Sequence, residues 1–128
     1  MTLNKAQHLA VGEYAESISR DYLQQQGLKI LQHNYSCQRG EIDIIAREGK
    51  TTVFVEVRYR KTTQYGFAEE TINIKKQQKL QFTAQTWLQK NKRANLGPSR
   101  FDVIAITGEP VMQNIRWIKN AFESTSGF

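Results

Sequence analysis

The sequence predicts an α/β fold in which a mixed central β-sheet is flanked by helices, in the order α-β-β-β-α-β-β. Two segments carry apolar residues at helical spacing, and five carry the apolar runs of strands. Some of these runs are nearly continuous, which is typical of strands buried on both faces of an α/β sheet. A length of 128 residues suits one domain, so we expect residues 1–128 to fold as a unit.

The first helix is predicted over about residues 5–26. Val11, Ala15 and Ile18 mark its apolar face, because they follow one another at helical intervals. Gly27 then stands where many helices end in a left-handed residue. A strand over about residues 28–35 is expected to follow.

Two further strands are predicted over about residues 41–47 and 51–60. Both are rich in β-branched or aromatic residues, and Gly49 lies in the short segment between them. Strands joined by so short a turn pair as a hairpin.

The second half of the chain supplies the remaining elements. A helix is predicted over about residues 73–91, with Asn73 as its N-cap, and a strand over about residues 100–107. A short last strand covers residues 115–118. We expect the chain from Asn120 onward to be frayed, unless Phe122 docks on the fold.

The charge of the chain points to a polyanionic partner. The sequence has 18 Lys and Arg against 12 Asp and Glu, and its pI is about 9.6. Nucleic acid is the simplest partner for such a balance, and an anionic membrane surface is a second. An ordinary solvated basic surface has the same composition.

Cysteine and histidine usage narrows the chemistry. Cys37 is the only cysteine, and His8 and His33 are the only histidines. An intrachain disulfide is therefore excluded and a zinc site is disfavoured. The sequence has no apolar run near the ~20 residues of a membrane span and no secretory-signal pattern at its start, so we expect a cytoplasmic protein.

The strongest functional pattern is a carboxylate in each strand of the predicted hairpin. Asp43 and Glu56 lie in apolar surroundings, and pairing about Gly49 places them nearly opposite each other. Opposed carboxylates repel unless a cation lies between them, and oxygen ligands suit Mg²⁺ or Mn²⁺. A structural alternative is that Asp43 simply pairs with Arg58 or Arg60.

Three other residues can join this site. Arg58 lies two residues beyond Glu56, so it projects from the same face of a strand and could stabilise charge on a phosphate. Glu16 lies seven residues from both Leu9 and Leu23, which makes it a better candidate for partial burial than Glu13. Glu41 alternates with Asp43 and could also approach a metal.

These residues resemble known proteins. Asp43 followed by Glu56-x-Arg58 on a hairpin after a helix resembles the PD-(D/E)XK nuclease superfamily. The blocks Gly40–Ala46, Val53–Arg58, Arg100–Val103 and Ile118–Phe122 resemble the bacterial YraN-like family, over nearly the whole chain from about Gly12 to Phe122. The layout is also similar to that of archaeal Holliday-junction resolvases, in which a helical Glu precedes the hairpin, as Glu16 does here.

The resemblance implies a restriction-endonuclease-like core and a divalent-metal-dependent endonuclease that hydrolyses phosphodiester bonds in DNA, with branched repair or recombination intermediates as candidate substrates. It implies that Asp43, Glu56 and the Val57 carbonyl bind the metal, with Glu16 in support. A homodimer would supply two sites for the two strands of a duplex.

One position departs from the superfamily pattern, because Arg58 stands where a Lys is usual. Arginine stays charged and cannot act as a general base. Lys76, on the apolar side of the second helix near Leu80, could replace the missing amine. The alternative is that Lys76 only extends its charged end from the edge of the apolar stripe.

Basic clusters are the predicted nucleic-acid surface, with DNA expected rather than RNA. The residues that we assign to it are Arg58, Arg60, Lys61, Lys75, Lys76 and Lys79. Tyr65 and Phe67 could stack on a base. Two other functions remain open: a non-catalytic nucleic-acid-binding module on a decayed nuclease fold, and a protein that binds another protein or a membrane through its basic face.

Overall fold

A computed structural model describes residues 4–62 and 72–123, without the side chains at positions 5, 6, 8 and 9. The elements are α1 (Lys5–Gln25), β1 (Lys29–Cys37), β2 (Gly40–Glu48), β3 (Thr51–Arg60), α2 (Ile74–Lys90), α3 (Lys92–Asn95), β4 (Ser99–Thr107) and β5 (Ile115–Phe122), with a 3₁₀ turn at Met112–Asn114. The predicted α/β class and the order of its main elements are confirmed.

The five strands form one mixed sheet in the order β1-β2-β3-β4-β5. β1, β2 and β3 are an antiparallel meander, β4 runs parallel to β3, and β5 runs antiparallel to β4. A parallel pair needs a long crossover, and the connection between β3 and β4 contains α2 and α3.

The core is divided between the two faces of the sheet. Successive residues of β3 point to opposite faces of the sheet. Val55 packs in one core cluster with Ala15 and Leu23 of α1, whereas Phe54 packs in the other with Trp87 of α2. Each large apolar side chain buried in this way stabilises the fold by about 1.5–3 kcal/mol. The sheet is therefore held between α1 and α2, and its central strands are apolar on both sides.

Two glycines end elements as the sequence predicts. Gly27 follows α1 with φ at 95°, and Gly49 joins β2 to β3 with φ at 61°. Residues with a side chain rarely adopt this left-handed backbone conformation, so glycine is the residue that closes both elements without strain.

The end of the chain differs from the prediction. For residues 120–122 the expectation of fraying was wrong and the alternative that Phe122 docks is confirmed, because β5 continues to Phe122. Residues 124–128 lie outside the described part of the chain. The Asn120 N–H donates to Asp102 at 2.9 Å, and the Phe122 ring stacks on Phe101 with centroids 4.8 Å apart. The short helix α3 was not predicted, and β1 continues to Cys37.

In the described segments, no helix is both long and apolar enough to cross a membrane.

Candidate metal centre

The predicted carboxylates lie where β2 and β3 part. Pairing of the two strands runs from the Gly49 turn as far as Ile44 and Val55. Asp43 on β2 and Glu56 on β3 are the first residues beyond this last pair. There the ladder is replaced by a side-chain contact, in which the Val57 N–H donates to Asp43 Oδ2 at 2.8 Å. The hairpin therefore brings the two carboxylates to the same end of the β2–β3 pair.

Glu56 is buried, with 7% of its surface exposed, and has two cations beside it. Arg58 Nη1 and Lys76 Nζ each lie 3.8 Å from Glu56 Oε1. Arg58 follows on the same strand face. Lys76 comes from the first turn of α2, which Asn73 caps by accepting the Lys76 N–H at 2.8 Å. The amine that the sequence placed near the apolar side of α2 thus reaches the carboxylates.

The third carboxyl group comes from α1. Glu16 is half-buried and shares a hydrogen bond with Asp43, whereas Glu13 is exposed. One helix and two strands consequently supply the three predicted acidic residues from different parts of the chain.

Burial and mutual repulsion alter the acidity of these groups. The pKa of Glu56 is raised to about 7, first by burial and then by the charge of Asp43, although Lys76 and Arg58 act in the opposite direction. Burial and the charge of Asp43 also raise the pKa of Glu16 to about 7. The pKa of Asp43 is raised mainly by burial. Ionising these carboxyl groups is therefore costly in the folded protein, because burial and their mutual repulsion outweigh the attraction of the neighbouring cations.

The donor set fits a hard divalent cation that keeps part of its water shell. Within residues 4–62 and 72–123, no group of three or more His, Cys, Asp or Glu side chains stands ready to hold a metal ion. Mg²⁺, however, often uses only one or two carboxylates and retains several waters. A backbone oxygen is also at hand, because the N–H and C=O of a strand residue point the same way, and the Val57 N–H points to Asp43 beyond the paired part of β2.

The other predicted basic residues are more dispersed. Arg60 is half-buried on β3, and Lys61 and Lys75 are exposed. Lys79 is exposed on α2, where it lines the same groove as Lys76. Tyr65 and Phe67 lie outside the described residues.

Sequence reasoning missed the turn between β1 and β2. Cys37 and Arg39 line the groove that contains Lys76 and Lys79, and its volume is about 450 Å³. The available signal was the position of Arg39, which directly precedes the Gly40–Ala46 block.

Asp102 belongs to a second centre, in which it holds a basic residue. Arg100 Nε donates to Asp102 Oδ1 at 2.9 Å, and Arg100 Nη1 donates to Glu48 Oε1 at 2.8 Å. Trp117 Nε1 and the Asn120 N–H also donate to Asp102, each at 2.9 Å. This network ties β4 to β5 and to the end of β2.

The fold and the carboxylate site together define an α/β protein whose layout is consistent with the PD-(D/E)XK superfamily. The sequence model of a protein family described as "Uncharacterised protein family UPF0102" matches residues 15–106. A UPF0102 protein of Pseudomonas fluorescens is 47% identical over 91% of this chain and 96% of its own length. One from Nitrosococcus oceani is 42% identical over 97% of this chain and 100% of its own. The chain belongs to the UPF0102 family, which is the YraN-like family that its motifs resemble.

Proposed function

We propose that this protein is a divalent-metal-dependent endonuclease that hydrolyses phosphodiester bonds in DNA. One observation carries the proposal: Asp43 and the buried Glu56 lie together where β2 and β3 part, with Arg58 Nη1 and Lys76 Nζ each 3.8 Å from Glu56 Oε1. Burial and the charge of Asp43 raise the pKa of Glu56 to about 7 in spite of these two cations. Buried carboxylates that lack full compensation are costly unless a cation binds, and they are common at functional sites.

Each residue has a separate role in this proposal. Asp43, Glu56 and the Val57 carbonyl hold Mg²⁺ or Mn²⁺, with Glu16 in support. When bound, the ion neutralises charge on the phosphate and lowers the pKa of water. Arg58 supplies a fixed positive charge that stabilises the phosphate in the transition state.

In this proposal, Lys76 supplies the amine that the superfamily lysine would provide. Its Nζ lies 3.8 Å from Glu56 Oε1, so it borders the place where a phosphate would meet the carboxylates. A lysine amine can exchange a proton with water, whereas the guanidinium of Arg58 remains charged.

DNA is the substrate that we propose, because the chain has a net charge of +6 and its basic residues include Arg58, Lys76 and Lys79 near the carboxylates. Branched repair or recombination intermediates are candidate substrates. A homodimer, which would present two sites to a duplex, and a cytoplasmic location also belong to this proposal.

The test is cleavage of a labelled panel of duplex, single-stranded, flapped and four-way-junction DNA, together with RNA, in Mg²⁺, Mn²⁺ or EDTA. We expect metal-dependent cleavage, and losses of about 10³-fold or more in Asp43→Ala and Glu56→Ala, which correspond to about 4 kcal/mol in the barrier. Glu13→Ala is the matched control, because Glu13 is exposed. Wild-type rates in both site variants would assign the activity elsewhere.

A non-catalytic nucleic-acid-binding module is the second candidate, and Arg58 in the usual lysine position favours it. This function predicts salt-sensitive binding without turnover in either metal. Arg58→Lys then becomes the informative variant, because restored cleavage would show that the site had decayed at that position alone.

A further inference from the structure

The groove missed by sequence reasoning lies beside the carboxylates. It runs between the β1–β2 turn and the first two turns of α2, and its volume is about 450 Å³. Lys76 belongs to both places, since it lines the groove and lies 3.8 Å from Glu56 Oε1. A nucleic-acid strand that extends from the carboxylates past Lys76 would therefore enter the groove.

The charged side chains along the groove are mostly basic. Arg39, Lys76 and Lys79 line it, against one carboxylate from Glu41. Glu41 lies two residues before Asp43 on β2, so its side chain projects from the same strand face as the metal-binding carboxylate. The rest of the groove is left with an excess of positive charge that favours a phosphate.

The wall that carries Arg39 is fastened to α2. The Arg39 guanidinium lies 4.5 Å from the centre of the Phe82 ring, and the Cys37 thiol contacts Thr83 Oγ1 at 3.6 Å. A Cβ at Gly40 would lie 3.0 Å from the same hydroxyl, so the turn and the helix approach closely. A cation held in this way loses less side-chain entropy when it binds an anion.

The geometry points to a phosphodiester-binding subsite in this groove, which takes the nucleic-acid strand on one side of the cleavage position. Several cations along an open channel suit successive phosphates of a strand better than one small anion. The link to a cleavage position rests on the proposed nuclease function. Binding of the strand itself does not, and it can be measured in EDTA.

Cys37 provides a direct reporter, because it is the only cysteine in the chain and lines the groove. Burial raises the pKa of the Cys37 thiol, but its contact with Thr83 and hydrogen bonds from the backbone of Arg39 and Gly40 outweigh burial, so the pKa is lowered, which favours the thiolate that is alkylated. We expect saturating single-stranded DNA in EDTA to slow alkylation of Cys37 several-fold. An unchanged rate, with binding verified by anisotropy, would overturn the subsite.

Lys79→Gln tests the charge. Lys79 and Lys29 are both exposed, and Lys29 begins β1 eight residues from Cys37, about 26 Å along the strand. On single-stranded DNA, we expect Lys79→Gln to reduce the magnitude of the slope of log K against log salt by about 0.7, which is the value of one phosphate contact. The control Lys29→Gln should leave the slope unchanged. Equal slopes in wild type and Lys79→Gln would contradict the assignment.

The two proposals fail separately. Protection of Cys37 and a reduced slope, without metal-dependent cleavage, would retain the strand-binding groove and reject the nuclease. Metal-dependent cleavage without protection of Cys37 would retain the nuclease and reject the groove.

Discussion

Two buried carboxylate centres occupy this small sheet, and they differ in how completely their charges are matched. Around Asp102, Arg100, Trp117 and Asn120 all donate hydrogen bonds. The hydrogen bond from Arg100 also holds the pKa of Glu48 below its usual value. At the metal centre, burial and repulsion instead raise the pKa of Glu56 to about 7.

We propose that the difference separates a structural role from a functional one. Asp102 is 1% exposed and Glu56 is 7% exposed, so burial alone does not distinguish them. What distinguishes them is the supply of donors and positive charge. A carboxylate that accepts several hydrogen bonds stabilises the fold, whereas a group of buried carboxyls that outnumber the cations beside them is suited to bind a further cation.

The largest effect on stability is expected at the satisfied centre. Asp102→Ala leaves the Arg100 guanidinium, the Trp117 indole N–H and the Asn120 N–H without their shared acceptor. Breaking such a buried pair costs about 3–5 kcal/mol. Urea unfolding measures the loss. A cost below about 1 kcal/mol would show that the network does not hold β5 in place.

The next largest effect has the opposite sign: a substitution at Glu56 is expected to gain stability relative to wild type as the pH rises. Because the pKa of folded Glu56 is raised from 4.5 to about 7, its stabilising contribution is present below pH 4.5 and is lost as pH rises through 7. Glu56→Gln does not titrate there. We expect its free energy of unfolding in EDTA, relative to wild type, to rise by roughly 1–3 kcal/mol between pH 5 and pH 8.

Glu48→Gln is the matched control for that experiment. The pKa of Glu48 is lowered, so its contribution is present above its unfolded pKa and is lost as pH falls. This variant should be less stable than wild type at pH 8, and the deficit should shrink in acid. If both variants shift in the same direction, the two centres do not differ as described.

The smallest effect concerns the protons that a metal displaces. Glu16 and Glu56 both have pKa values raised to about 7, so cation binding near or below pH 7 releases protons from them. Below pH 7, log Kd for Mn²⁺ decreases as the pH rises, and in Glu16→Gln we expect this slope to become shallower by about one proton released per ion bound. Calorimetry in two buffers measures the release. Glu13→Gln should match wild type, and an unchanged slope in Glu16→Gln would remove Glu16 from the site.

The sequence was most informative where local pattern and burial agree. The continuous apolar run of β3 predicted a central strand, and Gly49 fixed the hairpin that brings Asp43 and Glu56 to one end of the ladder. For Lys76, near Leu80 on the apolar side of α2, the sequence left two interpretations open, and the contact with Glu56 at 3.8 Å agrees with the one in which its amine approaches the carboxylates.

The features that sequence reasoning missed depend on contacts between distant segments. β5 continues to Phe122 because Asp102 accepts the Asn120 N–H and Phe101 stacks on Phe122. Arg39 becomes part of a groove only when the β1–β2 turn meets Phe82 of α2. Periodicity within one segment carries no information about such pairings.

Mn²⁺ binding to the metal-free protein tests the central claim most directly, because it does not depend on substrate or turnover. At pH 7.5, we expect wild type and Glu48→Gln to bind the ion with similar affinity, and Glu56→Gln to bind it about 100-fold more weakly or worse. Equal affinity in wild type and Glu56→Gln, or no binding by either, would contradict the assignment of Glu56 and Asp43 as a metal centre.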